Sequence, residues 1–307
     1  MAFPHAAGTV SYSGTFIPEI WSKKLIEKFY DATVLTAISN TNYEGEIRSQ
    51  GDLVKIRTIP TLTINDYQSG QTLVNQRPES EIVELLIDKG KYWSAIVDDV
   101  QDVQSDLELM NMWANDASEQ MKIRIDTEVL GSIVPDFHEE NKGVAAGRIS
   151  GNINLGETGA PVEVNRDNIL DVILDMGQCL DEQNRPETGR FLVMPYWATT
   201  LLKKSDLKDA SLTGDSQTPL RNGRVGMVDR FTIYQSNNLP KVNDSGSSAF
   251  YFMGGIDNGL TFASQLTKTE SLRAESTFGN IMRGLQVYGY KVIDGRSLTA
   301  AYCYKGA

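Results

Sequence analysis

The sequence has few of the residues on which most catalytic and metal sites depend. Its 307 residues include two cysteines, Cys179 and Cys303, and two histidines, His5 and His138. Without a CxxC pair, neither a disulfide framework nor a cysteine-rich metal site is expected. Two isolated histidines also come close to excluding a histidine-based triad or a zinc site. We interpret His138, which lies among acidic residues, as part of a solvated acidic loop.

Long apolar runs and an excess of positive charge are also missing. No stretch reaches the roughly 18 consecutive apolar residues of a membrane helix, and the first residues lack the features of a signal peptide. We therefore expect a soluble protein that is made in the cytosol and does not bind membranes. The formal net charge is −11, from 29 basic and 40 acidic residues. Such a surface is unsuited to gripping phosphates, but it suits a container in which nucleic acid slides without sticking.

The remaining candidates for chemistry each have a simpler structural explanation. The glycine-rich segment 254–259 matches neither common nucleotide-binding pattern and indicates a turn between strands. Cys179 lies beside Leu180 in a predicted helix, which favours a core position over a nucleophile. Asp98, Asp99 and Asp102 could bind a cation, but capping of a helix explains them with fewer assumptions. The sequence thus nominates no catalytic, cofactor-binding or metal-binding residue.

The N-terminal part and one later loop indicate contacts with other molecules. Residues 1–16 are rich in small residues and are typical of an arm that becomes ordered against a neighbour. Apolar residues at helical spacing follow, and they predict a short amphipathic helix that contains Trp21 and Phe29. Arg221, Arg224 and Arg230 form a basic cluster in and after the polar segment 205–224, which we interpret as a solvated loop with modest use in an interface.

Residues 46–99 change to the two-residue period of β-strands. Strand-like runs occur at residues 52–58, 81–88 and 92–97. The first two are separated by polar, turn-rich residues that include Tyr67, Gln68, Gly70 and Arg77. The simplest interpretation is a long two-stranded excursion with a flexible tip. Because an isolated hairpin is only marginally stable in water, this excursion needs a partner surface.

The rest of the chain predicts a long helix and a compact layered domain. A helix from residue 98 to about residue 132, roughly 50 Å long, ends at Gly131 and Pro135. The glycines of residues 135–165 indicate a mobile connection. A helix at 169–180, a buried strand at 191–194 and a helix at 196–204 then indicate an α/β layer. Further strands are predicted at residues 231–234, 250–253, 284–292 and 298–304.

The order of these parts resembles the major capsid (coat) protein family of tailed bacteriophages. The resemblance is carried by residues 16–22, 51–57, 92–99, 286–292 and 297–300. It covers nearly the whole chain and is one of pattern, since no single motif is specific. It implies an α+β, HK97-like fold with an N-terminal arm, an extended β-hairpin loop, a long spine helix in a peripheral domain, and a compact axial α/β domain. The implied function is structural: self-assembly into hexamers and pentamers of an icosahedral head around double-stranded DNA, without enzymatic activity.

The resemblance also implies boundaries and interface residues. Residues 1–45 would form the arm and short helix, and residues 46–97 the extended loop over the adjacent subunit. Residues 98–150 with 266–290, the latter as a long strand, would form the peripheral domain. Residues 151–265 with 291–307 would form the axial domain. The implied subunit interface contains Trp21, Phe29, Tyr67, Gln68, Gly70, Arg77, Arg221 and Arg224.

The implied partners follow from the same resemblance. They are copies of the chain, a portal protein, a decoration protein, and packaged DNA bound without sequence specificity. Because the amphipathic helix begins at Ile17, we expect no N-terminal assembly domain and a separate scaffolding protein. No cofactor is expected. The protein would be made and assembled in the host bacterial cytoplasm and would reside in the virion.

Three alternatives stay open at the level of sequence. A nanocompartment shell of the same fold, as in encapsulins, would enclose a cargo enzyme instead of DNA. An acidic cytosolic hydrolase would need paired carboxylates with displaced pKa values, and the sequence nominates no such pair. A soluble carbohydrate- or peptide-binding module would be a stable monomer.

Overall fold

The computed structural model describes most of the chain from residue 33 onwards. The described residues are 33–42, 53–57, 59–60, 62–80, 82–99, 109–205, 227–244, 246–275 and 277–306. The predicted arm and amphipathic helix, with Trp21 and Phe29, lie outside these ranges, as do Arg221 and Arg224.

The described chain contains four α-helices and twelve strands. The helices are α1 Leu35–Ile38, α2 Leu109–Ser132, α3 Ile169–Glu182 and α4 Tyr196–Lys204. The first six strands are β1 Leu53–Arg57, β2 Ile82–Leu86, β3 Lys89–Asp98, β4 Val162–Val164, β5 Arg190–Met194 and β6 Met227–Val228. They are followed by β7 Phe231–Gln235, β8 Lys241–Asp244, β9 Ser247–Ile256, β10 Leu260–Arg273, β11 Gly279–Val292 and β12 Leu298–Lys305.

A seven-stranded mixed sheet separates two apolar cores. Its order is β4-β12-β9-β5-β7-β6, with β8 paired to β9. All five residues of the central strand β5 are buried. Phe191 and Val193 belong to the first core, and Leu192 and Met194 belong to the second core. Because both faces of β5 are covered, residues 191–194 form a continuous apolar run without polar alternation. The strand begins with Arg190, whose buried guanidinium pairs with Asp181 at 2.6 Å.

The second core is formed by the α/β layer that the sequence predicted. Helix α3 places Ile169, Ile173, Met176 and Leu180 on one face, at steps of three and four residues, and buries them against the sheet. Pro195 precedes α4, where a missing N–H costs little. The predicted helices at 169–180 and 196–204 and the strand at 191–194 are confirmed to within two residues.

A three-stranded antiparallel sheet extends from the first core. Its order is β10-β11-β3. Sequence reasoning expected one long strand near residues 266–290, and this expectation is wrong, because β10 and β11 form a hairpin that turns at residues 274–278. The strand predicted at residues 92–97 also does not belong to the excursion, because β3 pairs with β11 along its whole length. The two-stranded part consists of β1 and β2 alone.

Helix α2 is the long helix that the sequence predicted. Its 24 described residues give a length of about 36 Å at 1.5 Å per residue. The helix ends at Ser132, and a 3₁₀ turn at Val134–Asp136 follows, which agrees with the predicted stop at Gly131 and Pro135. Residues 100–108, where the helix was expected to begin, lie outside the described ranges. Among the described helices, none is long and apolar enough to cross a membrane.

A buried carboxylate on α2 connects three separate parts of the chain. Asp126 is 1% exposed. Its Oδ1 accepts hydrogen bonds from the backbone N–H of Val34 and Leu35 at 3.2 and 3.0 Å, and its Oδ2 accepts one from Asn238 Nδ2 at 2.7 Å. Burial raises the pKa of Asp126, and these three donors oppose the shift without cancelling it. The carboxylate therefore fixes α1 and the segment before β8 against the long helix.

The interpretation of residues 135–165 as a mobile connection is wrong. Ala146, Ile153 and Leu155 are buried in the second core, and Ala146 pairs with Ile153 in a short antiparallel bridge. Glu182, at the end of α3, accepts hydrogen bonds from the backbone N–H of Ile149 and Ser150 at 2.7 and 3.1 Å. These long-range contacts hold a segment that appears loose when only its glycines are considered.

Replacing Asp126 with alanine should lower the free energy of unfolding by about 2–4 kcal/mol, because three donors would lose their buried acceptor. Asn238→Ala removes one of the three bonds and should cost about 1 kcal/mol. Glu119→Ala, at an exposed ion pair on the same helix, is the matched control and should cost less than about 0.5 kcal/mol. Urea unfolding of the purified chain measures all three. Equal losses for Asp126→Ala and Glu119→Ala would contradict the role of the buried carboxylate.

Glu182 should contribute stability that depends on pH. Burial alone would raise its pKa, but the hydrogen bonds from Gln178 and from the N–H groups of Ile149 and Ser150 outweigh it and lower the pKa from 4.5 to about 2. Because the folded-state pKa is depressed, the contribution is present above pH 4.5 and is lost as the pH falls through 2. Glu182→Gln should therefore destabilise the fold by about 1 kcal/mol at pH 7, a value reduced by solvent screening. The difference from wild type should disappear near pH 2; a constant difference across this range would rule the mechanism out.

Candidate functional site

The loop between β1 and β2 is the most exposed apolar part of the described chain. Strands β1 and β2 pair antiparallel from Leu53–Leu86 to Arg57–Ile82. Residues 59–60 and 62–80, called here the extended loop, contain no regular secondary structure. Ile59 is 95% exposed, and Val74 is 81% exposed. Leu62, Ile64, Tyr67 and Leu73 are also exposed large apolar residues. Exposed large apolar residues concentrated in one segment are typical of interaction surfaces.

A few polar contacts shape the extended loop. The side-chain amide of Gln76 accepts from Thr63 N at 3.1 Å and donates to Thr63 O at 2.8 Å, which joins the outgoing and returning segments. At the tip, Gln71 N donates to Gln68 O, and Gly70 has a φ of +86°, as a tight turn requires. The loop therefore has a defined turn but no apolar core of its own.

The structure brings together three of the residues that sequence reasoning assigned to an interface. Tyr67, Gln68 and Gly70 lie at the tip turn, and Arg77 lies on the returning segment beside Gln76, all exposed. Of the basic cluster, Arg230 is described, and its guanidinium binds Asp181 at 2.8 Å and Glu187 at 3.1 Å. Arg230 is thus already neutralised within its own subunit.

A small third core anchors the base of the loop. Strands β1 and β2 form a two-stranded ribbon. Its Ile56 and Leu85, together with Ile87, are buried against Ala263 of β10. The ribbon crosses β11 at Gly289, where an added Cβ would lie 2.1 Å from the carbonyl oxygen of Leu86. Only glycine permits this close approach of two backbones. The position of the loop thus depends on one residue of a neighbouring sheet.

An ion cluster fastens the start of β3 to the long helix. Glu128 of α2 binds Lys91 Nζ at 2.5 Å, with Lys89 Nζ at 3.8 Å. Burial would raise the pKa of Glu128, but the two lysines outweigh it and lower the pKa. Lys89 also lies over the Tyr290 ring, 5.0 Å from its centroid, and the Tyr290 hydroxyl is 2.6 Å from Ser132 Oγ. The three-stranded sheet and the long helix are therefore joined by a set of polar contacts.

Sequence reasoning missed the exposed face of the three-stranded sheet. This face carries Glu270, Arg283 and Ser94, which lie directly opposite one another on neighbouring strands and therefore point the same way. Lys268, two residues before Glu270 on β10, points to the same face. Glu270 accepts from both Arg283 Nε and Nη2, at 3.0 and 2.7 Å, and also pairs with Lys268. Exposed apolar residues flank this charged row: Tyr92 and Leu285 on one side, Ile96 and Leu272 on the other. The alternation of charged and uncharged residues in 266–273 could have indicated a strand with one charged face.

The residues considered for chemistry have structural positions. Burial raises the pKa of the Cys179 thiol to about 12, and Cys179 lies in the second core as predicted. His138 caps a 3₁₀ turn by accepting from Glu140 N. Within the described ranges, no group of three or more His, Cys, Asp or Glu side chains is arranged to hold a metal. Of the predicted turn at residues 254–259, only the 3₁₀ turn Asp257–Gly259 connects β9 to β10, because residues 254–256 are the last residues of β9.

One aspartate has a partner that sequence reasoning did not anticipate. Asp99, Asp98 and Asp102 were expected to cap the long helix, and the residues that they would cap lie outside the described ranges. The Asp99 carboxylate binds the guanidinium of Arg273, with one oxygen 2.7 Å from Nη1. This pair joins the end of β3 to the end of β10. Asp98 is the last residue of β3, and Asp102 lies outside the described ranges.

Comparisons with known proteins agree on one family. The sequence model of a family described as "Phage capsid protein" matches residues 83–301. A solved structure from Mycobacterium phage Che8 is 27% identical, with a TM-score of 0.77, and covers 94% of this chain and 98% of that one. The capsid structure of the cyanophage P-SCSP1u is 14% identical, with a TM-score of 0.73 and 97% coverage of both chains. The bacteriophage PhiM1 mature capsid is 17% identical, with a TM-score of 0.65, and covers 94% and 92%. No curated protein matches.

Gly289→Ala should lower the free energy of unfolding by about 2–3 kcal/mol, because the added methyl group overpacks the crossing and displaces the ribbon. Gly90→Ala is the matched control in the same sheet. A Cβ there would meet its nearest atom, the Gln286 carbonyl oxygen, at 3.9 Å, so the change should stay within about 0.5 kcal/mol. Thermal or urea unfolding measures both. A harmless Gly289→Ala would show that the ribbon does not depend on this crossing.

Proposed function

The chain belongs to the phage capsid protein family, and from this premise we propose how its parts build a shell. It is a structural subunit, a major capsid protein with an α+β, HK97-like fold that associates with copies of itself. The proposed assembly consists of hexamers and pentamers in an icosahedral head that encloses double-stranded DNA. We propose a structural role without a catalytic step.

The extended loop is the observation that carries this proposal. Six large apolar side chains in residues 59–74 are exposed on a segment that has no core of its own. In a monomer, this surface would remain in water at an unfavourable free energy of about 25 cal/mol for each Å². Contact with the adjacent subunit would remove it from water. The rigid base formed by Ile56, Leu85 and Ile87 would aim the loop at that neighbour.

The proposed two domains meet at the first core, which contains residues of both. We propose that the seven-stranded sheet with α3 and α4 forms the axial domain at the centre of each capsomer. The long helix α2 with the β10–β11 hairpin forms the peripheral domain. The tip residues Tyr67, Gln68 and Gly70, with Arg77, contact the neighbouring subunit, and the segment that contains Arg221 and Arg224 lies near the capsomer axis. Trp21 and Phe29 contribute an apolar face to the same network of contacts.

The proposed partners are those of a head that is assembled before DNA is packaged. A separate scaffolding protein would guide curvature, a portal protein would occupy one vertex, and a decoration protein would bind the outer surface. The net charge of −11 would keep packaged DNA from adhering to the inner surface. Assembly would take place in the host cytoplasm, and the finished protein would reside in the virion.

The alternatives receive less support. The capsid structures named above come from phages, which does not favour a nanocompartment with an enzyme cargo. For the hydrolase, Asp126 is a buried carboxyl with a raised pKa, but its oxygens are occupied by three structural donors. Burial and the neighbouring Asp171 raise the pKa of Asp175 on α3, and both carboxyls lie on one helix. A monomeric binding module leaves the apolar extended loop without an explanation.

Replacing residues 67–75 by two glycines should leave a folded subunit that no longer forms closed shells. Gln76 and Thr63 close the loop below the deleted tip, so the fold should keep its unfolding temperature. Particles formed together with the other head proteins of its phage can be counted by negative-stain electron microscopy. Normal closed particles from the deletion variant would contradict the proposed role of the loop.

A matched pair of point variants separates apolar burial from loop length. Leu73→Ser with Val74→Ser should weaken each subunit contact by about 2–4 kcal/mol. Thr72→Ser with Asn75→Ser changes neighbouring exposed residues and should leave the particle yield unchanged.

A further inference from the structure

Strand β10 forms an outer edge of the three-stranded sheet. It pairs with β11 on one side. On its other side, its first residues are occupied, because Asn40 N donates to Leu260 O and Phe262 N donates to Asn40 O. Farther along, among the described residues, no backbone hydrogen bond reaches the outer side of residues 267–271. An edge of this kind is a template for another strand.

The register of the hairpin shows which backbone groups face outward. In an antiparallel pair, alternate residues direct both N–H and C=O to the partner strand. Ala274 N donates to Gly279 O, so the even-numbered residues in this half of β10 face β11. Thr267, Thr269 and Ser271 therefore direct their N–H and C=O groups away from the sheet. These groups are positioned to continue it.

The sequence of this edge is nearly self-complementary. Residues 266–272 read Leu-Thr-Lys-Thr-Glu-Ser-Leu, and the two halves mirror each other around Thr269. If a second copy of the strand lay antiparallel across a two-fold axis at Thr269, Lys268 of each copy would lie opposite Glu270 of the other. Thr267 would lie opposite Ser271, and leucine opposite leucine. An isologous contact requires this kind of symmetry in a single surface.

Charge selects this register among the possible ones. Sliding the pair by two residues in one direction places Lys268 opposite Lys268, and in the other direction places Glu270 opposite Glu270. A parallel arrangement in register sets both like charges against each other. Like charges directly opposite are unfavourable, whereas opposite charges are favourable. Only the antiparallel pair centred on Thr269 matches both the outward hydrogen-bonding groups and the charges.

We propose that two copies of this chain pair along β10 across a two-fold axis at Thr269 and join their sheets into one continuous sheet. This inference rests on the self-assembly proposed above and names one of its contacts. Lys268 is 60% exposed and Glu270 is 24% exposed, so both can reach a partner. Glu270 already binds Arg283, and the row of alternating charge would extend from Arg283 and Glu270 to the partner's Lys268.

A cysteine at the two-fold axis tests the pairing directly. In such a pair, the two Cα atoms of residue 269 would be about 5.5 Å apart, which is within the range of a disulfide bond. Thr269→Cys particles, formed with the other head proteins and oxidised with diamide, should give a band at twice 34.0 kDa on a non-reducing gel. The native Cys179 and Cys303 are buried, so the wild-type background should be low.

Ser271→Cys is the matched control, two residues away on the same edge. In the proposed register, its two copies would be about 13 Å apart along the strands and should not crosslink.

A lysine at a sheet edge can also serve to prevent pairing. If Lys268 does so here, Thr269→Cys will fail to crosslink in normal particles, or both cysteines will react equally. Either result overturns the pairing while the capsid role stands. Failure of wild-type chains to form particles would instead contradict the proposed function and, with it, this contact.

Charge complementation in the same assay separates contacts between copies from contacts within one chain. Adding Lys268→Glu to Thr269→Cys should suppress the crosslink at least several-fold, because glutamates would face each other. Adding Glu270→Lys instead should do the same with facing lysines. Mixed particles of the two variants should recover the crosslink, since each edge then faces its opposite. Suppression without recovery in the mixture would contradict the interchain pairing of Lys268 with Glu270.

Discussion

The exposed parts of this subunit depend on one strand, β11, whose C-terminal end lies in the first core. Tyr288 and Val292 are buried with residues of the long helix, whereas the other end of β11 reaches the turn at residues 274–278. Strands β10 and β3 pair with it on either side, and the ribbon crosses it at Gly289. An extended sheet cannot bury enough surface to be stable alone. It is held here because its base is buried in a core that it shares with the seven-stranded sheet and α2.

Electrostatic contacts fix these parts where apolar packing is thin. Glu128 ties β3 to the helix, and the Asp99–Arg273 pair closes the far end of the sheet. Exposed pairs of this kind contribute little stability individually, so their value lies in orientation. Asp126 differs because it is buried. Burial raises its pKa, so ionisation of the carboxyl lowers the free energy of unfolding as the pH rises through the folded-state pKa. It is kept because three donors require an acceptor at that place.

The sequence predicted what local periodicity determines and failed where distant contacts decide. Helix α3 and strand β5 were predictable because their apolar residues recur at the spacing of one helix face or fill a continuous run. Strand β10 was missed because residues 267–271 are polar on both faces and become a strand only through pairing with β11. Residues 135–165 were misjudged because their glycines suggest looseness, while Glu182, far along the chain, holds them. The tip of the extended loop was identified correctly as exposed, but its anchor at Gly289 could not be inferred from any local pattern.

The two proposed contact surfaces have complementary physical properties. The extended loop offers apolar area with little charge and no regular hydrogen bonding, so it can supply affinity but defines position loosely. The β10 edge offers outward backbone groups and a charge order that tolerates one register, but little apolar area. Strand register is weakly specified in polar strands unless side-chain pairs specify it. A shell needs both properties, because weak contacts must allow misplaced subunits to leave, and repeated contacts must still accumulate enough free energy to close the lattice. Separating affinity from register on two surfaces lets a subunit bind first and align afterwards.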